Sequence, residues 1–153
     1  MKENDTSTEI RRAALNMLAR RDYSPHELFQ KLKTKGYSRD LIEPVIADLA
    51  KSGFINESRY TENFIHSRRN KGYGPERITM ELQGRGIADE TIAEHLQITD
   101  NAWFTEARKV WQKHFKGKQP NDFNDRAKQM RFLQYRGFTR EQIKSVFGNE
   151  EYE

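Results

Sequence analysis

The chain has 153 residues, of which 35% are hydrophobic and 33% charged, and its formal net charge is +4. Such a small apolar share favours several small modules over one large core, because small units bury less of their chain. Cysteine is absent, which excludes a disulfide framework, a thiolate nucleophile and a cysteine-ligated zinc site. No apolar stretch is long enough to span a membrane, so we expect a cytoplasmic protein with no membrane partner.

The first predicted helix follows residues 1–8, which we expect to be a flexible N-terminus. Thr6 and Glu9 have the spacing of a capping box, which would start the helix at this point. Apolar residues then recur at helical spacing, at Ile10, Ala14, Met17 and Leu18.

Two more helices are predicted before residue 52. Ser24, with Glu27 three residues later, has the pattern of a capped helix start, and Gly36 is placed to end that helix in a left-handed turn. Ser38 would cap the third helix. Pro44 lies inside this third helix, where we expect it to kink the helix or delay its start.

Six further helices are predicted after residue 55. We predict them around Tyr60 and Phe64, from 75 to 85, from 89 to 96, along the stripe from Trp103 to Phe115, from about 122 to 136, and from 139 to 147. Thr139 and Gln142 supply a capping box for the last one. Sustained period-two alternation is absent, so no sheet is expected.

The sequence also repeats with a period of about fifty residues. Arg-Asp-Tyr-Ser-Pro at 21–25 recurs as Lys-Gly-Tyr-Gly-Pro at 71–75, and Leu82 and Gly86 recur as Leu133 and Gly137. This periodicity predicts an all-α protein of three tandem helix-turn-helix-like three-helix repeats in an elongated, curved array. The predicted bounds are 9–54, 55–99 and 100–148, with an acidic tail over 149–153.

Basic charge is concentrated in the first and second helices of each repeat. Four segments carry net charges of +6, +3, +4 and +5: residues 11–39, 66–86, 103–118 and 126–140. This pattern predicts a basic face for nucleic acid or an acidic partner, although ordinary solvated helix surfaces explain it equally well. The third helices are acidic and would be repelled by phosphates, so we do not expect sequence-specific reading of the major groove.

No pattern of catalytic residues is apparent. The four histidines fit no His-x-x-x-His ligand spacing, and the carboxylates are scattered, so we predict no enzyme activity, no metal site and no cofactor. Tyr73 is the one aromatic residue predicted in a basic loop, where it would either stack on a base or, slightly favoured, pack between helices.

The middle of the chain resembles the RecX family of bacterial regulators of the RecA recombinase. The specific motif is Lys-Gly-Tyr-Gly-Pro at 71–75, preceded by Phe64-Ile65 and Ser67-Arg68 and followed by Arg77-Ile78, Glu81-Leu82 and Arg85-Gly86-Ile87. Segments 21–32, 53–60 and 131–138 extend the resemblance over nearly the whole chain. The resemblance implies a bent array of three three-helix repeats that lies in the groove of the RecA–DNA filament, inhibits ATPase, strand-exchange and coprotease activities, and binds DNA itself.

The candidate contact residues for RecA or DNA are nine cations and one aromatic residue. They are Arg68, Arg69, Lys71, Tyr73, Arg77 and Arg85 around the middle motif, Arg20 and Arg21 in the first repeat, and Arg131 and Arg136 in the third. We expect a monomer that binds single- and double-stranded DNA without sequence preference. We also expect that replacing Arg68 and Lys71 by alanine leaves folding unchanged. The alternatives are a nucleic-acid-binding helical protein without a filament partner and a protein–protein adaptor.

Overall fold

A computed structural model describes the backbone of residues 2–148 and the side chains of residues 5–148. Within that range the chain forms nine α-helices and no strand. They are α1 Lys2–Arg20, α2 Pro25–Thr34, α3 Arg39–Lys51, α4 Glu57–Asn70, α5 Pro75–Gly84, α6 Asp89–His95, α7 Ala102–Phe115, α8 Phe123–Arg136 and α9 Arg140–Val146. The all-α prediction of three three-helix repeats is therefore confirmed. The predicted tail over 149–153 lies outside the described residues.

Two of the four side-chain caps that the sequence predicts, at Ser24 and Thr139, are present. At α2, the Glu27 amide donates to Ser24 Oγ and the Ser24 amide donates to Glu27 Oε1, both at 3.1 Å. The same reciprocal pair joins Thr139 and Gln142 at α9. These two capping boxes satisfy amides that a helix start leaves without partners. Ser38 occupies the cap position of α3, but its side chain makes no capping hydrogen bond.

The predicted helix start near Thr6 is wrong, and of the two alternatives for Pro44 the delayed start is wrong. Helix α1 begins at Lys2, so Thr6 lies inside it and caps nothing. The Thr-x-x-Glu spacing also occurs in helix interiors and does not by itself mark a start. Pro44 does not delay α3, which begins five residues before it and continues to Lys51. Pro44 is the sixth residue of α3, so the helix lacks the hydrogen bond that an amide at this position would donate to the Asp40 carbonyl.

The predicted turn glycines have the conformation that ends a helix. Gly36, Gly86 and Gly137 have φ angles of 101°, 80° and 98°. Only glycine adopts this left-handed region at no steric cost, which is why one stands between the second and third helices of each repeat.

Packing divides the chain into two compact units. The first comprises Met1–Asn63 with Leu82–Ile92, and the second comprises Phe64–Glu81 with Ala93–Glu153. Helices α4 and α5 of the middle repeat therefore each contribute residues to both units.

The first unit has a core of aliphatic side chains from α1, α2 and α3, together with one from the connection between α3 and α4. Its members are Ile10, Ala14, Leu28, Leu32, Ile42, Val45, Leu49 and Ile55. Helix α1 packs against both α2 and α3, so the first repeat closes as a small bundle.

The core of the second unit includes the aromatic stripe of α7. Trp103 and Trp111 are buried, and the Trp111 indole Nε1–H donates to Oε1 of the buried Gln129 at 2.7 Å. Phe147 packs edge-on against Trp111, with ring centroids 6.3 Å apart. The stripe is thus core, as its helical spacing predicted, and the polar face of α7 is left toward solvent.

Candidate nucleic-acid interface

Arg85 takes part in a joint between the first and second repeats, inside the first unit. The Ser24 hydroxyl donates to the Arg85 carbonyl at 2.8 Å. The Arg85 guanidinium donates to Glu27 Oε2 at 2.6 Å and to the Tyr60 hydroxyl at 3.2 Å. A side chain at Gly86 would overlap the Cβ of His26. We call this contact the first joint, and in it Arg85 holds two repeats together.

An equivalent second joint connects the middle and third repeats inside the second unit. The Gly74 amide donates to the Arg136 carbonyl at 2.6 Å, and the Glu76 amide donates to the Gly137 carbonyl at 2.9 Å. A side chain at Gly137 would overlap the Cβ of Arg77. The start of α5 therefore rests on the turn between α8 and α9, as the start of α2 rests on the turn between α5 and α6.

Tyr73 is enclosed by cations at the second joint. The guanidinium carbons of Arg68, Arg77 and Arg136 lie 4.1, 4.4 and 5.1 Å from the centroid of its ring. Guanidinium groups at these distances are attracted to the negative face of an aromatic ring. The Tyr73 ring is therefore packed among guanidinium groups from α4, α5 and α8.

Arg68 and Arg77 also converge on one carboxylate. Arg68 binds Glu81 through two hydrogen bonds of 2.8 Å, and Arg77 Nε donates to Glu81 Oε2 at 3.2 Å. Burial raises the pKa of Glu81, but the hydrogen bonds from Arg68 and Arg77 outweigh that effect and hold the pKa below its ordinary value. Arg77 also donates to the Tyr135 carbonyl at 3.2 Å. The expectation that Arg68 is dispensable for folding does not fit this geometry.

The two candidate cations of the first repeat differ in their contacts. The guanidinium carbon of Arg21 lies 3.7 Å from the centroid of the Tyr23 ring, and its Nη1 lies 3.6 Å from Glu27 Oε1. Arg20 is exposed at the end of α1. Nearby, Arg59 makes two hydrogen bonds to Asp22, and these lower the pKa of the Asp22 carboxyl despite its partial burial.

A groove of about 520 Å³ on the second unit is lined mainly by basic side chains. We call it the basic groove. Its lining includes five Lys/Arg residues and a single acidic one: Arg69, Asn70, Lys71, Gly72, Glu106, Lys109, Val110, Lys113, His114, Phe132 and Arg136. Helices α4, α7 and α8 therefore present basic side chains to one space.

Three of the ten predicted contact residues line the basic groove. Arg69, Lys71 and Arg136 are those three, whereas Arg131 is exposed on α8 outside the lining. Arg136 is partly committed to the fold, because it donates to the Lys71 carbonyl at 3.0 Å. Among the described residues, no ion pair or hydrogen bond engages the side chain of Lys71.

The prediction missed Lys109, Lys113 and His114. Their signal in the sequence was the i, i+4 spacing of Lys109 and Lys113 on the face of α7 opposite the tryptophan stripe. All three residues lie in the basic segment 103–118, but the net charge of a segment does not show which of its side chains share a helix face.

Within the part of the chain that the structure describes, no three His, Cys, Asp or Glu side chains are grouped so that they could hold a metal ion. Among the same residues, no helix is both long and apolar enough to cross a membrane.

Comparison with models of known protein families shows which family this chain belongs to. The models described as RecX, first, second and third three-helix domains match residues 11–49, 56–96 and 104–147, in that order. The chain belongs to the RecX family. The three matched segments coincide with the three repeats.

Relatives of similar length support the assignment. The regulatory protein RecX of Pseudomonas putida is 45% identical over 139 residues, which cover 91% of this chain and 89% of the relative. The regulatory protein RecX of Halorhodospira halophila is 40% identical, with coverage of 92% and 87%. The chain is thus similar to regulatory proteins over most of its length.

Solved structures share the fold. The crystal structure of RecX from Lactobacillus salivarius superposes with a TM-score of 0.78 at 23% identity, covering 94% of this chain and 95% of that one. A second crystal structure, of regulatory protein RecX, gives a TM-score of 0.83 at 22% identity, with coverage of 96% and 75%. RecX-family regulatory proteins therefore retain this arrangement of helices at low sequence identity.

Proposed function

We propose that this protein is a non-enzymatic negative regulator of the RecA recombinase. It binds in the groove of the RecA–DNA filament and inhibits the ATPase, strand-exchange and coprotease activities of the recombinase. The observation that carries the proposal is the match of all three RecX domains in order along the chain. We further propose that it acts as a monomer in the cytoplasm, within DNA repair, recombination and the SOS response.

The basic groove supports a role on a nucleoprotein filament. Five Lys/Arg side chains against one carboxylate give this part of the second unit a local positive charge. A DNA backbone attracts such a surface through release of its counterions, without regard to base sequence. DNA within the filament, or an acidic patch of recombinase, would be attracted in the same way.

The three repeats supply a reason for firm binding to a filament of repeated protomers. Three similar domains on one chain offer linked contact sites, and a second contact gains from the effective concentration that the first creates. Weak contacts to neighbouring protomers would thereby add up to firm binding. A protein held across an interface between protomers hinders the motions that ATP turnover requires.

The experiment that tests this function is ATP turnover by RecA. Filaments are first assembled on single-stranded DNA with ATP, and the protein is then added in increasing amounts. We expect turnover to fall at amounts well below one protein per DNA binding site. The order of addition serves as the control, because a protein that only sequesters DNA would inhibit when it is added before RecA and not when it is added to assembled filaments, whereas a filament inhibitor would act in both orders.

Two other functions give different results. A nucleic-acid-binding protein without a filament partner would bind DNA in a salt-sensitive way and leave turnover by assembled filaments unchanged. A protein–protein adaptor would show neither salt-sensitive DNA binding nor inhibition. Unchanged turnover at saturating protein would contradict the proposed function.

A further inference from the structure

We infer that the basic groove of the second unit binds one strand of unpaired nucleic acid, with phosphates on its lysines and a base against its aromatic wall. This inference deepens the proposed function by naming a ligand and a place on the protein, and it rests on that function only for its biological setting. The binding itself requires no recombinase.

The first support is the way α7 faces the groove. Glu106, Lys109, Val110, Lys113 and His114 all line it, and their spacing of three and four residues places them on one face of the helix. Glu106 lies 3.7 Å from Lys109 and neutralises part of its charge. Lys113 has no ion-pair or hydrogen-bond partner among the described residues, and it stands one turn further along the same face.

The end of α4 and the turn after it add two further cations to the lining of the groove. Arg69 has a single weak contact there, 3.5 Å from a ring nitrogen of His66. Lys71 is exposed and belongs to the turn that the second joint holds in place. Several cations from different helices that line one groove fit a chain of phosphates better than they fit one small anion.

The second support is an aromatic wall in the lining of the groove, formed by His114 and Phe132. His114 stacks on Phe132 with ring centroids 3.8 Å apart and planes inclined by 17°. Phe115 meets both rings edge-on, at 4.7 and 5.3 Å. The guanidinium of Arg136 lies 5.1 Å from the Phe132 centroid. His114 remains exposed, so an extended π surface borders the groove.

Together these features favour a single strand over a duplex or an acidic protein segment. Sequence-independent proteins that bind single strands combine a basic channel with aromatic side chains on which bases stack. A duplex keeps its bases paired and would use only the lysines. An acidic peptide would have no use for the stacked His114 and Phe132 rings.

The test measures DNA binding by the full chain without recombinase. The binding constant of a fluorescent oligothymidylate is followed by anisotropy between 50 and 300 mM salt. Lys109→Gln with Lys113→Gln removes two groove charges, and glutamine has a helix propensity close to that of lysine. Each lost phosphate contact should lower the slope of log K against log salt by about 0.7 for a single strand. Two contacts at 0.1 M salt correspond to a loss of roughly twentyfold in affinity.

The matched control is Lys51→Gln with Lys144→Gln, which removes the same charge from exposed helix ends outside the groove. We expect its affinity and slope to stay near those of the unmodified protein. An equal loss in both double variants would show that only net charge matters, and no loss in either would place the DNA elsewhere. Both outcomes overturn the inference.

The aromatic wall is tested by His114→Ala against His114→Tyr. Stacking of one base on an aromatic side chain contributes a factor of about five or more in affinity. We expect the alanine variant to lose this factor on the single strand while keeping its affinity for duplex, and the tyrosine variant to retain binding. Equal losses on single strand and duplex, or no loss on either, would overturn the assignment of a single strand.

The failures of the two proposals are distinguishable. If RecA turnover is not inhibited while groove variants lose single-strand binding, the proposed function fails and this inference stands. If the groove variants bind the single strand normally but lose inhibition, the groove is a contact for recombinase, and this inference fails.

Discussion

Gly74 lies so close to Gly137 that a Cβ atom on Gly74 would be 2.5 Å from the carbonyl carbon and oxygen of Gly137. The corresponding residue of the first joint is Ser24, whose side chain fits and donates to the Arg85 carbonyl. One repeat therefore holds its neighbour by a side-chain hydroxyl, and the next does so by direct approach of two backbones. The two joints connect equivalent elements, but the first accommodates a side chain at the residue before the helix and the second does not.

We predict that Gly74→Ser destabilises the protein even though serine is a better helix cap than glycine. The added Cβ would meet backbone rather than a flexible side chain, and overpacking of this kind typically costs about 1–3 kcal/mol. Gly84→Ala is the control, because space is open around that helical glycine. Gly84→Ala should raise the free energy of unfolding by up to about 1 kcal/mol. Urea denaturation followed by circular dichroism measures both, and a stabilised Gly74→Ser would contradict the close approach.

A second prediction separates two neighbouring cations of the middle motif. Arg68→Ala should lower the free energy of unfolding by roughly 2 kcal/mol, since it leaves the half-buried Glu81 with one partner and removes a cation from Tyr73. Lys71→Ala should leave the melting temperature unchanged, because its side chain is exposed. Equal melting temperatures for the two variants would show that the Arg68–Glu81 pair contributes nothing.

A third prediction concerns the loss of folding stability at low pH. The pKa of Glu81 is lowered in the folded protein, so its contribution to stability is present above the unfolded value of about 4.3 and is lost as the pH falls through the folded value. Glu81→Gln should therefore destabilise at pH 7 and lose less further stability between pH 5 and pH 3 than the unmodified protein. Denaturant midpoints across this range test it. Glu94→Gln, at an exposed position of α6, should show the same acid dependence as the unmodified protein.

A fourth prediction compares two turn glycines. Gly86→Val combines the left-handed backbone penalty with overlap on His26, whereas Gly36→Val has the penalty alone in open space. The penalty is about 1–2 kcal/mol. We expect Gly36→Val to lower the free energy of unfolding by about the backbone penalty alone. Gly86→Val should lower it by more, because the overlap with His26 is added. Equal costs would mean that the first joint opens without loss of stability.

Local signals in the sequence were sufficient for the helices and their turns. The capping boxes at Ser24 and Thr139, and the glycines at 36, 86 and 137, act through neighbours within a few residues in the chain, so pattern and spacing reveal them. Pro44 and Thr6 misled because the same residue types are also tolerated inside a helix, where tertiary packing decides.

The candidate site was less accessible because its geometry is non-local. Nothing around residue 68 shows that Arg68 is paired with Glu81, or that Arg85 reaches back to Glu27. A count of charges treats a paired arginine and an unpaired lysine alike. The groove depends on α4, α7 and α8 meeting, and only the face of α7 with Lys109 and Lys113 was readable from spacing.

The last prediction assigns the inhibitory contact to unpaired cations. Arg68 and Arg77 are held by Glu81, and Arg136 by the Lys71 carbonyl, so replacing them would confuse binding with folding. Arg69→Ala with Lys71→Ala removes two groove cations that the fold uses little, and we expect it to weaken inhibition of RecA turnover about tenfold with the melting temperature unchanged. The expected tenfold weakening corresponds to the loss of about two contacts with phosphate groups at moderate salt.

Lys51→Ala with Lys144→Ala is the matched control, and its inhibition should stay within about twofold of the unmodified protein, since exposed charges outside a contact contribute little at physiological salt. The titration is repeated at 50 and 200 mM salt. The difference between the two double variants should narrow as salt rises, because screening removes the contribution that Arg69 and Lys71 make. If the variants differ equally at both salts, the two side chains contribute by packing against the filament rather than by charge. If they do not differ at either salt, inhibition depends on net charge alone, and the groove is not the inhibitory contact.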